Sequence, residues 1–105
     1  MQPKVTARHC EISDTLRERA FSVVERLENL ARHPMESTVV FDMDGALQTV
    51  EIRLHLARGE TLVARGEGPD HRTALDRAEA KLRRQVERAA GRPRRTRTAQ
   101  PRNPL

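Results

Sequence analysis

Tryptophan and tyrosine are absent from this chain, and the only aromatic rings apart from the histidines are Phe21 and Phe41. That leaves no set of exposed rings on which successive bases of a single strand could stack. Cysteine occurs once, at Cys10, which excludes an internal disulfide and fits a reducing compartment. No apolar run reaches the length of a membrane span or a signal-peptide core, so a cytoplasmic protein without a membrane partner is expected. The four histidines, His9, His33, His55 and His71, share no metal-ligand spacing with one another or with Cys10. No metal, cofactor or small-molecule substrate is expected.

Acids are missing from residues 91–105, which hold Arg92, Arg94, Arg95, Arg97 and Arg102 and so account for the whole net charge of +5. Subtracting those five from 20 Lys+Arg leaves 15 against 15 Asp+Glu in residues 1–90. A body that is formally neutral attracts a polyanion only if its charges are segregated. The arginine- and proline-rich end has almost no apolar content and reads as a disordered basic tail that adds a diffuse attraction, with Arg92, Arg94, Arg95 and Arg97 as candidate RNA contacts. Residues 1–90 form one small domain, stable by roughly 5 to 10 kcal/mol.

The most informative stretch covers residues 70–88, DHRTALDRAEAKLRRQVER. Leu75, Ala78, Leu82, Val86 and Ala89 recur at spacings of three and four, which makes one apolar helical stripe. Arg77, Lys81, Arg84 and Arg88 fall within about 60° of one another on the far side, over roughly 16 Å of helix. Asp76, Glu79 and Glu87 gather along one flank. A solubilising helix face favours alternating i,i+4 pairs of opposite charge, whereas a sorted cationic ridge suits regularly spaced phosphates.

The remaining elements follow in order. Val5 and Ala7 alternate in a first strand over 4–9. Ser13 caps a helix that runs to Arg32 and stops before Pro34, with Leu16, Ala20, Val23, Val24, Leu27, Leu30 and Ala31 as its stripe. Arg19 and Arg26 lie along one edge of that stripe, and Asp14, Glu18, Glu25 and Glu28 lie opposite. A β-rich run over 37–43 meets the turn pair Asp44-Gly45. Val50, Ile52, Leu54 and Leu56 then alternate with polar residues in a strand that turns at 58–60 into a last one carrying Leu62, Ala64 and Gly66. Gly68-Pro69 ends it before Asp70 caps the long helix. The expected fold is α+β, in the order β-α-β-β-β-α: a four-stranded mixed sheet with both helices on one face and the other face in water. Arg19, Arg26, Arg77, Lys81, Arg84 and Arg88 are the candidate RNA-binding residues, expected to merge into a single patch across the two helices.

One decoy stands in residues 39–47, VVFDMDGAL, whose aspartates have the spacing of a phosphatase motif that delivers two carboxylates to Mg²⁺. Such an enzyme needs a larger α/β core and further distal groups, and a strand entering an Asp-Gly hairpin explains the same residues. The chain is read as a non-enzyme.

The strand-to-helix entry VTARHCEIS with Leu16, the run Arg26-Leu27-Glu28-Asn29-Leu30, and Ala74-Leu75-Asp76 followed by Lys81-Leu82-Arg83-Arg84-Gln85 together resemble the ribosome hibernation-promoting factors. This family is also known as ribosome-associated inhibitors or sigma-54 modulation proteins. The resemblance spans residue 2 to about residue 90 and is to the short form, without the extra C-terminal domain that pairs ribosomes in long members. It implies a fold like that of double-stranded-RNA-binding domains, and a translation inhibitor that occupies the messenger and transfer RNA channel of the small ribosomal subunit, against its ribosomal RNA, in idle or stressed bacterial cells. It leaves room for a separate ribosome-dimerisation factor as a further partner. Lys81, Arg84 and Arg26 match the family's basic positions. Pro3 and His71-Arg72 depart from it, standing where apolar or aromatic residues are common. A general double-stranded-RNA-binding module acting away from the ribosome would use the same ridge.

Overall fold

The computed structural model describes residues 3–91, and the tail arginines from Arg92 onward lie outside the described residues. Strand β1 (Lys4–Ala7) leads to helix α1 (Asp14–Leu30), followed by β2 (Pro34–Asp44), β3 (Leu47–Leu56), β4 (Thr61–Gly68) and helix α2 (His71–Gly91). The four strands form one sheet in sequence order, with β1 parallel to β2 and the two hairpins antiparallel. The expected α+β architecture is therefore the one observed.

Several boundaries differ from the expected ones, each for a local reason. Strand β1 ends at Ala7 and not at residue 9, because His9 takes a left-handed backbone conformation (φ 57°) that turns the chain toward α1. Helix α1 ends at Leu30, two residues early: Ala31 is extended and its N–H donates to the carbonyls of Leu27 and Glu28, while His33 (φ 53°) reverses the chain. Pro34 opens β2 and does not merely close the helix, a position that needs no ladder N–H. Helix α2 continues past residue 88 to Gly91, one residue into the segment read as tail.

The caps are those read from sequence. Ser13 Oγ accepts from the Leu16 N–H at 3.0 Å, and Asp70 Oδ1 accepts from the Thr73 N–H at 2.7 Å. Each satisfies an amide with no partner inside its helix.

The core lies between the sheet and the helices, with Phe41, Leu27, Ile52, Leu54, Leu75 and Leu82 fully buried. Leu30, placed in the α1 stripe from its spacing, is 41% exposed because the helix ends there and the stripe has rotated off the sheet. His71 sits in the first turn of α2 with its ring edge-on to Phe41 at 5.4 Å, and its Nε2–H donates to the Asp42 carbonyl at 2.8 Å. A carbonyl can only accept, so this bond fixes the protonated nitrogen. His71 is buried and packs where the family resemblance has an apolar residue. Cys10 is half-buried beside it, Sγ 3.9 Å from Nε2, and burial is the main effect that raises its thiol pKa.

Gly66 sets how close α2 comes to the sheet. A Cβ there would lie 2.1 Å from the Ala74 carbonyl oxygen and 2.6 Å from the Ala78 nitrogen, so only hydrogen fits between helix backbone and strand. Gly66→Ala is accordingly expected to destabilise the fold by roughly 3 kcal/mol, since backbone and not a movable side chain must yield; an unchanged urea midpoint would refute this contact.

The capping bond from Thr73 N–H holds the Asp70 carboxyl below its ordinary value of 3.8. A lowered folded-state pKa stabilises above the unfolded value, and that contribution is lost as pH falls through the folded one. Urea denaturation from roughly pH 5 to pH 2 should therefore show a shallower acid limb in Asp70→Asn, which keeps an uncharged acceptor, than in the parent chain. Equal limbs would show that Asp70 adds nothing to acid sensitivity.

Candidate nucleic-acid interface

Strand β4 is an edge strand, and residues 63, 65 and 67 turn their backbone groups away from β3. Helix α2 runs alongside. Arg77 Nη1 donates to the Glu67 carbonyl at 2.7 Å, Lys81 Nζ to the Arg65 carbonyl at 2.8 Å, and Gln85 Nε2 to the Val63 carbonyl at 2.9 Å. The fit is metric: four residues of α-helix rise about 6 Å, close to the roughly 6.7 Å spanned by two residues of strand. Three side chains one helical turn apart thus meet three successive outward carbonyls. At the opposite edge, Arg17 Nη1 on α1 donates to the Val5 carbonyl at 3.3 Å. Both edges of the sheet are closed by helix-borne donors, which blunts the tendency of open edges to pair with other chains.

The six sequence-predicted basic residues do not merge into a single patch. Arg19 Nη2 donates to Asp76 Oδ1 at 2.9 Å, and Arg26 donates through Nε (3.2 Å) and Nη2 (3.0 Å) to Glu79 Oε2. These two arginines are held in the seam between α1 and α2, where the acidic flank of α2 neutralises them. Glu79, 13% exposed at its side chain, also takes Arg83 at 3.4 Å. Arg19 Nε is buried in this seam without a partner.

Arg77, Lys81, Arg84 and Arg88 occupy the other side of α2. The first three line one groove with Arg65 of β4 and with Leu47 and Pro69. Arg88 lies one turn beyond it. Arg84 and Arg88 make no hydrogen bond or ion pair with any described residue, while Arg77 and Lys81 each spend one donor on β4 and keep others.

The open face of the sheet is different. Arg53 pairs with Glu51 at 2.6 Å, Arg65 with Glu67 at 3.3 Å and with Asp44 at 3.8 Å, and His9 with Asp42 at 3.1 Å. Its charges are largely satisfied among themselves. The two aspartates of the decoy motif lie here: the His9 bond chiefly, together with the Met43 N–H, lowers the Asp42 pKa, and Asp44 faces Arg65. Among the described residues no group of three His, Cys, Asp or Glu side chains is placed to hold a metal ion, and no helix is long and apolar enough to cross a membrane.

The family model described as Sigma 54 modulation protein / S30EA ribosomal protein matches residues 4–94. The chain belongs to this family. Among solved structures of similar fold, a ribosomal subunit interface protein from Coxiella burnetii matches with a TM-score of 0.76 at 21% identity, over 88% of this chain and 100% of that one. The N-terminal domain of Thermus thermophilus Protein Y matches with a TM-score of 0.73 at 28% identity, over 85% of this chain and 99% of that one. No curated protein matches the chain.

Two residues of the family member's cationic side escaped the reading of its sequence. Gln85 completes the i, i+4, i+8 row with Arg77 and Lys81, but a helical wheel does not say that a strand edge lies beneath that row. Arg65 alternates as an ordinary wet-face residue of β4, and only the position of that strand at the sheet edge brings it into the groove.

Removing the three donors together (R77A/K81A/Q85A) should cost about 0.5 to 1.5 kcal/mol per lost bond at most. It should also produce concentration-dependent self-association in sedimentation velocity, because the β4 carbonyls become an unguarded edge. A monomer of unchanged stability would mean that the ladder protects nothing.

Proposed function

We propose that this protein binds the small ribosomal subunit and blocks translation in idle or stressed bacterial cells by occupying the channel of messenger and transfer RNA, as a hibernation-promoting factor in the cytoplasm. The observation that carries this reading is the one-sided charge of α2: Arg77, Lys81, Arg84 and Arg88 stand together on the side away from Asp76 and Glu79, which the ion pairs of the helix seam hold against Arg19, Arg26 and Arg83. Family membership and the likeness to a Protein Y domain support the ribosome as the partner.

The mechanism is occlusion without chemistry. The sheet and the two apolar stripes form a rigid body, and the cationic side of α2 lays it against ribosomal RNA phosphates. Arg77 and Lys81, already anchored on β4, lose little side-chain freedom on contact, whereas Arg84 and Arg88 supply unpaired charge. Arg19 and Arg26 act one step back by fixing α1 against α2. The arginines from Arg92 onward add an attraction that selects no site. Shape complementarity to folded RNA supplies the specificity, since the cationic side offers phosphate-directed groups and few base-reading ones.

Sucrose-gradient sedimentation of lysates from starved cells is expected to place the protein with small subunits and intact ribosomes. An excess of free duplex RNA should not displace it. Displacement at equal affinity would instead identify a general duplex binder. With four phosphates neutralised, the logarithmic salt slope should be roughly −3 to −4, about a hundredfold loss of affinity between 50 and 200 mM salt. Arg84→Ala and Arg88→Ala should each flatten that slope by about one; a slope indifferent to both would remove α2 from the interface.

A further inference from the structure

We propose that the groove between α2, β4 and the tip of the β2–β3 hairpin receives one unpaired nucleotide of an RNA strand, its base against Leu47, Pro69 and Ala80 and its phosphate between Lys81 and Arg84. The inference rests on the RNA-binding reading above and adds to it the class of RNA that this side of the molecule takes.

A ridge that meets only the phosphates of a duplex has no use for apolar surface between its cations, yet this groove is lined mainly by apolar atoms, with Ala46, Leu47, Pro69 and Ala80 among the cationic side chains. Leu47 is 43% exposed at the start of β3, immediately after the Asp44-Gly45-Ala46 turn. Keeping a large aliphatic side chain in water in a groove lined by four cations is unfavourable for the free protein, and an apolar ligand face covering it would reverse that cost.

The walls are fixed before any ligand arrives. Lys81 is tied to the Arg65 carbonyl and Arg77 to the Glu67 carbonyl, so the width of the groove is set by the helix-to-strand distance that Gly66 permits. The acid in the lining, Glu67, has its carboxylate 3.3 Å from Arg65 and is neutralised there. Arg84 has no partner among the described residues and is free to meet a phosphate. A ligand with one flat apolar face and an adjacent phosphate satisfies both parts of the lining. A stacked base in a duplex cannot present that face, because its neighbours cover it.

The test uses the full chain with labelled leucine and alanine methyl groups, titrated in parallel with a short single-stranded RNA, the same sequence as a blunt duplex, and inorganic phosphate. The single strand should shift the Leu47 and Ala80 methyl signals, which duplex and phosphate leave in place. Leu47→Ser, at an exposed position that leaves the core intact, should weaken binding of the single strand about fivefold and leave duplex binding unchanged. Equal methyl shifts with duplex or phosphate, or equal weakening of both RNAs, would overturn the nucleotide site. So would methyl signals that respond to deleting residues 92–105 but to no RNA, since the chain's own end would then be the occupant. Arg84→Ala separates the two levels of the argument. If it leaves binding of every RNA unchanged, the RNA-binding reading fails as a whole; if it weakens all of them while Leu47→Ser weakens none, only the nucleotide site fails.

Discussion

Backbone-to-backbone contact between α2 and β4 at Gly66 is the constraint on which the rest of this structure depends. A side chain of any size would hold the helix away by at least the width of a methyl group, and the tolerances are too small to absorb it. At that separation the long polar side chains of one α2 face reach over the edge of the sheet. Because helical and extended chains advance at commensurate rates, three of them find three carbonyls in succession. The same contact that packs the core therefore closes the edge of the sheet and lines up the cationic side chains.

Charge is distributed by a second consequence of the same packing. With both helices on one face of the sheet, the acidic flank of α2 is turned toward α1, where it meets Arg19 and Arg26. Those ion pairs are partly exposed and contribute little to stability singly. Their larger effect is electrostatic bookkeeping: they consume the acids that would otherwise dilute the field on the far side of α2. A formally neutral body thus presents one cationic side without any excess of basic residues over acidic ones. The open face of the sheet, where Arg53 pairs with Glu51 along β3 and Arg65 with Glu67 along β4 and with Asp44 at the end of β2, adds little net field.

The histidines and the single cysteine show how composition can mislead about roles. His71 combines a ring packed on Phe41 with a donor aimed at the Asp42 carbonyl, so it ties the start of α2 to β2 where an aliphatic residue could only pack. Asp42, which invites an enzymatic reading beside Asp44, accepts from His9 and from the Met43 N–H in the turn region of the hairpin. Through the Asp42 carbonyl the two residues join β2 to the start of α2.

The sequence by itself determined the order of elements, both N-caps, the Asp44-Gly45 turn and most of the buried set, because each depends on periodicity or on turn chemistry within a few residues. Leu75, Ala78, Leu82 and Val86 could face only one way, and Asp70 had an amide three residues on to accept from. It also identified the basic residues of α2 as a sorted row. Only the tertiary structure decided which of the six basic positions stay open to a partner, since Arg19 and Arg26 are neutralised by residues more than fifty positions away. It likewise decided that Arg65 and Leu47 join the α2 groove. Such facts depend on the distance between non-local backbones, and no helical wheel or alternation pattern carries that distance.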